Sequence, residues 1–195
     1  MSKLYFRYGA MNSGKSTHLM QVAYNYEERG MKVILLKPFT DSKGGENLVS
    51  RLGVERKVDL VICEEDNVVE KVKRYIEING QINCILVDEV QFLKEEQIDN
   101  LFEIAVVLDI PVICYGLRTD FKMQGFEGSN RLLLLAHSIE EMKTICKCGK
   151  KAILNGRKVN GEFVFEGAQV AIDHVDDVEY ESLCGHCYFK YKNKV

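Results

Sequence analysis

The stretch Gly9-Ala10-Met11-Asn12-Ser13-Gly14-Lys15-Ser16 fits the pattern G-x-x-x-x-G-K-[ST] at every fixed position. It lies between an apolar run, Leu4 to Tyr8, that reads as a strand, and Thr17 to Arg29, which reads as a helix closed by Gly30 at the C′ position. In that setting glycines let backbone N–H groups turn inward onto phosphate oxygens, and the helix aims its positive end at them. All eight residues are therefore candidates for holding ATP. Lys15 is expected to reach the β- and γ-phosphates, and the Ser16 hydroxyl to ligate Mg²⁺.

Outward from that loop, short apolar runs alternate with segments of helical period. Val33 to Leu36, Val58 to Ile62, Ile82 to Val87 and Val112 to Tyr115 read as buried strands. Asn67 to Ile78 and Glu95 to Leu108 read as the helices between them, the first with Val68, Val69, Val72, Tyr75 and Ile76 on one face. Strands apolar on both faces, alternating with helices, imply an α/β fold with a mainly parallel sheet. One of these runs, Cys84-Ile-Leu-Val-Asp88-Glu89, ends in two acids. Asp88 is placed to hold Mg²⁺, and Glu89, pointing elsewhere, is free to act as a general base.

The character changes after Gly116. Asp120 to Asn130 reads as a functional loop and Arg131 to Ala136 as a short helix. From Cys146 onward the pattern is strand-like, with turn signals at Asn155-Gly156 and Asn160-Gly161. A boundary near Glu141 to Thr144 divides the chain into a nucleotide-binding unit, 1–143, and an appendage, 144–195. The appendage is too small for a good core of its own and needs a staple such as a metal.

Composition narrows the function. Among 195 residues, 26 basic and 29 acidic side chains give a net charge of −3, without the footprint of a protein that coats nucleic acid. No apolar run approaches the roughly 18 residues of a spanning helix, so no membrane partner is expected. The start of the chain carries Arg7 within its apolar stretch and does not read as a secretion leader. Seven cysteines, an odd number, then point to a reducing compartment, the cytoplasm. Cys63, Cys84 and Cys114 each sit in an apolar run and read as core. Cys146, Cys148, Cys184 and Cys187 form two close pairs with 35 residues between the inner two. They offer four thiolates for a structural tetrahedral Zn²⁺, with disulfide pairing as the alternative. His186, between two of them, reads as a surface side chain, and His18 as a capping or surface residue.

Four stretches, in order, carry a resemblance. Gly9 to Ser16, Val87-Asp-Glu-Val-Gln-Phe92, Tyr115-Gly-Leu-Arg-Thr-Asp-Phe121 and Thr144-Ile-Cys-Lys-Cys-Gly-Lys-Lys-Ala152 are each similar to a signature of the type II thymidine kinases, the cytosolic, zinc-containing class. The spacing of Cys146 and Cys148 resembles one bacterial branch. The resemblance implies a RecA-like P-loop domain with a small zinc-binding lobe that carries a lasso-like lid. It implies transfer of the ATP γ-phosphate to the 5′-hydroxyl of thymidine. By the same resemblance Glu89 is the catalytic base, Arg51 stabilises charge on the phosphoryl path, and Gln91 joins Asp88 at the ATP. Met11, Leu117, Phe121 and Phe126 match the walls of a thymine pocket, with Phe92 expected close to them, and Tyr180 matches a residue of the lasso. The family is usually tetrameric, with the triphosphate end-product dTTP as inhibitor, so a homotetramer is expected.

One stretch departs from the pattern. Gln169-Val-Ala-Ile-Asp-His-Val-Asp-Asp-Val-Glu-Tyr180 lacks the paired glycines of the family's lasso, is longer, and carries Asp173, His174, Asp176 and Asp177. Nucleoside selection is therefore where this chain is expected to differ. A RecA-like ATPase acting on nucleic acid shares the phosphate loop and the acidic pair, and stands as the alternative.

Overall fold

The computed structural model of the chain describes residues 1–40, 47–49, 53, 55–169 and 177–194. Arg51, Asp173, His174 and Asp176 lie outside the described residues. The chain runs β1 (Leu4–Tyr8), α1 (Lys15–Glu27), β2 (Val33–Pro38), a hairpin of β3 (Asn47–Val49) and β4 (Glu55–Lys57), then β5 (Leu60–Ile62) and α2 (Val68–Asn79). It continues through β6 (Cys84–Val87), a 3₁₀ turn (Val90–Phe92), α3 (Glu95–Val107), β7 (Val112–Gly116), α4 (Glu127–Leu135) and β8 (Ser138–Glu141). The remainder forms β9 (Thr144–Ile145), β10 (Lys151–Ala152), β11 (Leu154–Val159), β12 (Glu162–Val164), β13 (Val178–Leu183) and α5 (Gly185–Lys192).

Six strands make one sheet in the order β5-β2-β6-β7-β1-β8, and every neighbouring pair is parallel. Alternate residues of its central strands feed two separate cores. Phe6, Leu36, Ile85 and Cys114 face α2, α3 and α4, while Leu35, Leu86, Ile113 and Tyr115 face Leu19, Met20 and Ala23 of α1. This is why β6 and β7 are apolar without a break: neither face meets water. A third cluster lies within residues 146–191, where Leu154, Leu183 and Tyr188 pack with Cys146, Cys184 and Cys187.

Local chemistry explains the element ends. Asn67 caps α2, its side chain accepting a hydrogen bond from the Glu70 N–H at 3.0 Å. Helix α4 begins at Glu127 rather than Arg131, so the last four residues of the expected loop are helical. Gly128 permits that start, because a Cβ there would sit 2.6 Å from the Val90 carbonyl oxygen. Strand β8 was not foreseen, since Ser-Ile-Glu-Glu at an exposed sheet edge has no apolar run to announce it.

Two expectations are corrected. Asn155-Gly156 lies inside β11 and is no turn. Gly156 is there because a Cβ would fall 2.6 Å from the Phe163 ring and 2.7 Å from Leu183 Cδ1. Asn160-Gly161 does turn the chain from β11 to β12, with φ of 51° and 82°. Cys63 is exposed, in contrast to Cys84 and Cys114. It lies just beyond β5, where its N–H and C=O bond Asp66 and Gln97 instead of continuing the sheet.

Burial raises the Cys84 thiol to about 12 and pushes Cys114 higher still. A thiol reagent should therefore label Cys63 in the native protein and reach Cys84 and Cys114 only after unfolding. Cys63→Ser should abolish the early reaction outside the four-cysteine cluster; prompt labelling of Cys84 would contradict the two-sided sheet.

Candidate active site

The phosphate loop leaves the carboxyl end of β1 with its backbone turned inward. The Gly9 N–H donates to the Gly116 carbonyl at 3.3 Å, and Asn12 and Gly14 adopt φ of 65° and 78°. A Cβ on Gly9 would lie 2.3 Å from Ser13 Oγ and 2.5 Å from the Met142 carbonyl oxygen, so glycine is required by space. Lys15 Nζ donates to the Ala10 carbonyl at 2.9 Å and to Ser13 Oγ at 3.3 Å. Helix α1 starts at Lys15 with neither a side-chain cap nor an acid in its first turn. An uncapped first turn without an acid suits an anion.

The acidic pair closes β6, separated from β1 only by β7. Asp88 is 2% exposed, and its N–H donates to the Leu36 carbonyl at 3.0 Å. Burial, with the adjoining Glu89 charge, pushes its carboxyl up to about 7 against the opposing pull of Lys37 and Lys15. Such a site suits a divalent cation, which would supply the charge the carboxylate lacks. Glu89 is half-buried and adopts φ 50°, ψ 35°, left-handed backbone uncommon for a residue with a side chain. Gln91, 2% exposed, donates from Nε2 to Glu89 Oε2 at 2.5 Å, and its Oε1 accepts from the Leu117 N–H at 3.1 Å.

The residues matched to a thymine pocket are tied together in separate groups, Phe92 with Phe126, and Phe121 with Tyr180 through Arg157. Leu117 and Phe126 are buried, and Phe92 meets Phe126 edge-on with ring centroids 5.5 Å apart. Phe121 is buried under the Arg157 guanidinium, 3.8 Å from its ring centroid. Tyr180 lies on β13, and its hydroxyl accepts from Arg157 Nε at 3.1 Å. Met11 is tied in through its N–H, which donates to Asn155 Oδ1 at 2.8 Å. His18 is half-buried in a network with Arg7 and the Tyr115 hydroxyl, 3.0 Å from its Nδ1.

Asn155 and Arg157 went unnoticed in the sequence. Asn155 is 3% exposed and spans two loops: besides accepting from Met11, it donates from Nδ2 to the Thr119 carbonyl at 2.9 Å. Arg157, also buried, adds bonds to the Ala168 and Gln169 carbonyls at 2.8 and 2.7 Å. With Asn155-Gly156 read as a turn, nothing in the sequence marked Asn155 or Arg157 as a buried side chain.

The four cysteines converge. Their sulfurs all lie within 4.8 Å of one another, and none is in a disulfide. Tetrahedral zinc at ~2.3 Å from each thiolate places sulfurs ~3.8 Å apart, so the cluster has the size the ion needs. Gly149, at φ 83°, donates its N–H to the Cys146 carbonyl at 2.8 Å and turns the chain back. The Cys187 N–H reaches Cys184 Sγ at 3.4 Å and holds that thiol down at about 7. His186 is exposed beside the cluster.

A family model described as Thymidine kinase matches residues 2–188. The chain belongs to the thymidine kinase family. Thymidine kinases similar to it include that of Lactiplantibacillus plantarum, 46% identical over 191 residues, covering 97% of this chain and 96% of the relative. That of Francisella tularensis subsp. holarctica is 44% identical over 189 residues, covering 94% and 95%. The thymidine kinase of Enterobacteria phage T4 is 42% identical over 186 residues, covering 94% of each chain. Among solved structures, replication initiator DnaA bound to AMPPCP and single-stranded DNA aligns with a TM-score of 0.43 at 17% identity. It covers 73% of this chain and 41% of that one.

Two consequences are measurable. A carboxyl whose folded pKa is raised loses stability as pH climbs from its unfolded value of about 4 through its folded value. Asp88→Asn should therefore raise the melting temperature of the ligand-free protein at pH 8 and leave it nearly unchanged at pH 4. Asn155→Ala should cost roughly 1–3 kcal/mol in denaturant unfolding, because Met11 N–H and the Thr119 carbonyl lose their partner.

Proposed function

We propose that the protein is an ATP-dependent thymidine kinase that transfers the γ-phosphoryl group to the 5′-hydroxyl of thymidine. The observation that carries this reading is the pairing of a complete phosphate loop with Asp88 and Glu89 on the carboxyl edge of one parallel sheet. That edge belongs to a chain matching the thymidine kinase family over residues 2–188. Gly9 to Ser16 hold the triphosphate by backbone N–H groups, with Lys15 swinging from its loop carbonyls onto phosphate oxygens. Ser16 and Asp88 would hold Mg²⁺, which supplies charge neutralisation at the phosphates when bound. Glu89 accepts the proton of the 5′-hydroxyl as that oxygen bonds the γ-phosphorus and the bond to the β,γ-bridging oxygen breaks, leaving ADP.

Leu117, Phe126, Phe92 and Met11 form the apolar side of the nucleoside site, with Phe121 and Tyr180 fastened behind it by Arg157. Arg51 serves the phosphoryl path. Cys146, Cys148, Cys184 and Cys187 hold a structural Zn²⁺, and residues 144–195 form a lobe distinct from 1–143 that presents β11 to the phosphate loop. Feedback binding of dTTP, a homotetramer and a cytoplasmic location complete the reading, supported by the family membership. No helix among the described residues is long and apolar enough to cross a membrane.

The test is ATP consumption with thymidine, with single-stranded DNA and with neither. Turnover that requires thymidine and yields thymidine monophosphate is expected; stimulation by DNA alone would overturn the reading. Glu89→Gln should lower kcat by about 10²–10⁴-fold while ATP still binds, since only the base is removed. Near-normal kcat in that variant would take Glu89 out of its role.

A further inference from the structure

We infer that Gln91 is a positioning residue for phosphoryl transfer: its buried amide fastens the Glu89 carboxylate to the backbone of the nucleoside wall at Leu117. The inference rests on the reading of Glu89 as the base. Both ends of the amide are engaged, Nε2 donating to Glu89 Oε2 at 2.5 Å and Oε1 accepting from the Leu117 N–H at 3.1 Å. With 2% of its surface exposed, Gln91 has no water to substitute for either partner.

The surroundings are shaped to this arrangement. Gly116, the last residue of β7, lies so close that a Cβ would sit 2.6 Å from Gln91 Oε1 and 2.9 Å from Val90 Cγ1. On the other side, a Cβ on Gly128 would fall 2.6 Å from the Val90 carbonyl oxygen and 2.7 Å from that of Leu93. Two glycines therefore make room for the 3₁₀ turn and for the amide it carries. Glu89 enters that turn in left-handed backbone, at φ 50°. The donor from Gln91 selects one orientation. Because the same amide holds Leu117, the base and the apolar wall that would seat the nucleoside keep a set separation. A base misplaced by about 1 Å can lose about 10² in rate, which is the scale of effect expected.

Gln91→Met has the same length and makes neither bond. Gln91→Glu keeps an acceptor for Leu117 and replaces the fixed amide donor with a carboxyl that must share a proton with Glu89, so it preserves the purely structural half of the role. On whichever nucleoside the wild type phosphorylates, each variant should lose about 10–100-fold in kcat with KM for ATP and nucleoside within about threefold. In a Glu89→Gln background neither should lower kcat further, because the group it acts through is gone. Multiplying losses in that background, wild-type kcat in either single variant, or a raised ATP KM at unchanged kcat would each overturn the inference. If Gln91→Met does not fold, Gln91→Glu decides alone. Wild-type turnover on thymidine is read separately, so a failure of the functional reading is distinguishable from a failure of this one.

Discussion

Strands β6, β7 and β1 run parallel and side by side, and their carboxyl ends must finish together. Pairing of Val87 with Cys114, and of Tyr8 with Gly116, sets that level. Three functional segments leave from it: the acidic pair from β6, the apolar wall from β7 and the phosphate loop from β1. Gly116 is the point they share. Its carbonyl accepts from Gly9 at the start of the phosphate loop, and its missing Cβ admits the amide of Gln91 beside Glu89. Parallel pairing thus does more than build a core, because it brings groups distant in sequence within bonding distance at one edge.

In the proposed nucleoside site that edge is one half. The other half would come from β11, whose alternate residues Asn155 and Arg157 bond the phosphate loop, the segment after β7 and β13. Asn155 bonds Met11 and Thr119, while Arg157 covers Phe121 and bonds Tyr180. A three-stranded sheet with one helix has little apolar area to hold itself against such a surface. The four thiols, gathered within 4.8 Å, are spaced to hold a metal ion, which would supply the restraint that burial alone would not.

The residues of the sheet edge were legible in the sequence because their chemistry is local. A phosphate loop needs its glycines, lysine and serine in one run, and the acids end a run of apolar residues. The family resemblance added the aromatic wall. Asn155 and Arg157 were not legible, since a buried polar side chain looks like a solvated one until its partners across the fold are known. Strand β8 was missed for a related reason: an edge strand makes its bonds on one side and need not be apolar. Cys63 misled in the opposite direction, because its apolar run continues one residue past the end of the strand.

The central claim is that one nucleoside site is built jointly by the sheet edge and the cysteine-held segment. Binding of ADP and of thymidine, measured by calorimetry before and after zinc is withdrawn under reducing conditions, tests it most directly. The account predicts that ADP binding persists, being held by β1 and α1, while thymidine binding falls by more than about tenfold as β11 loosens. Thymidine affinity unchanged in the metal-free protein would contradict it.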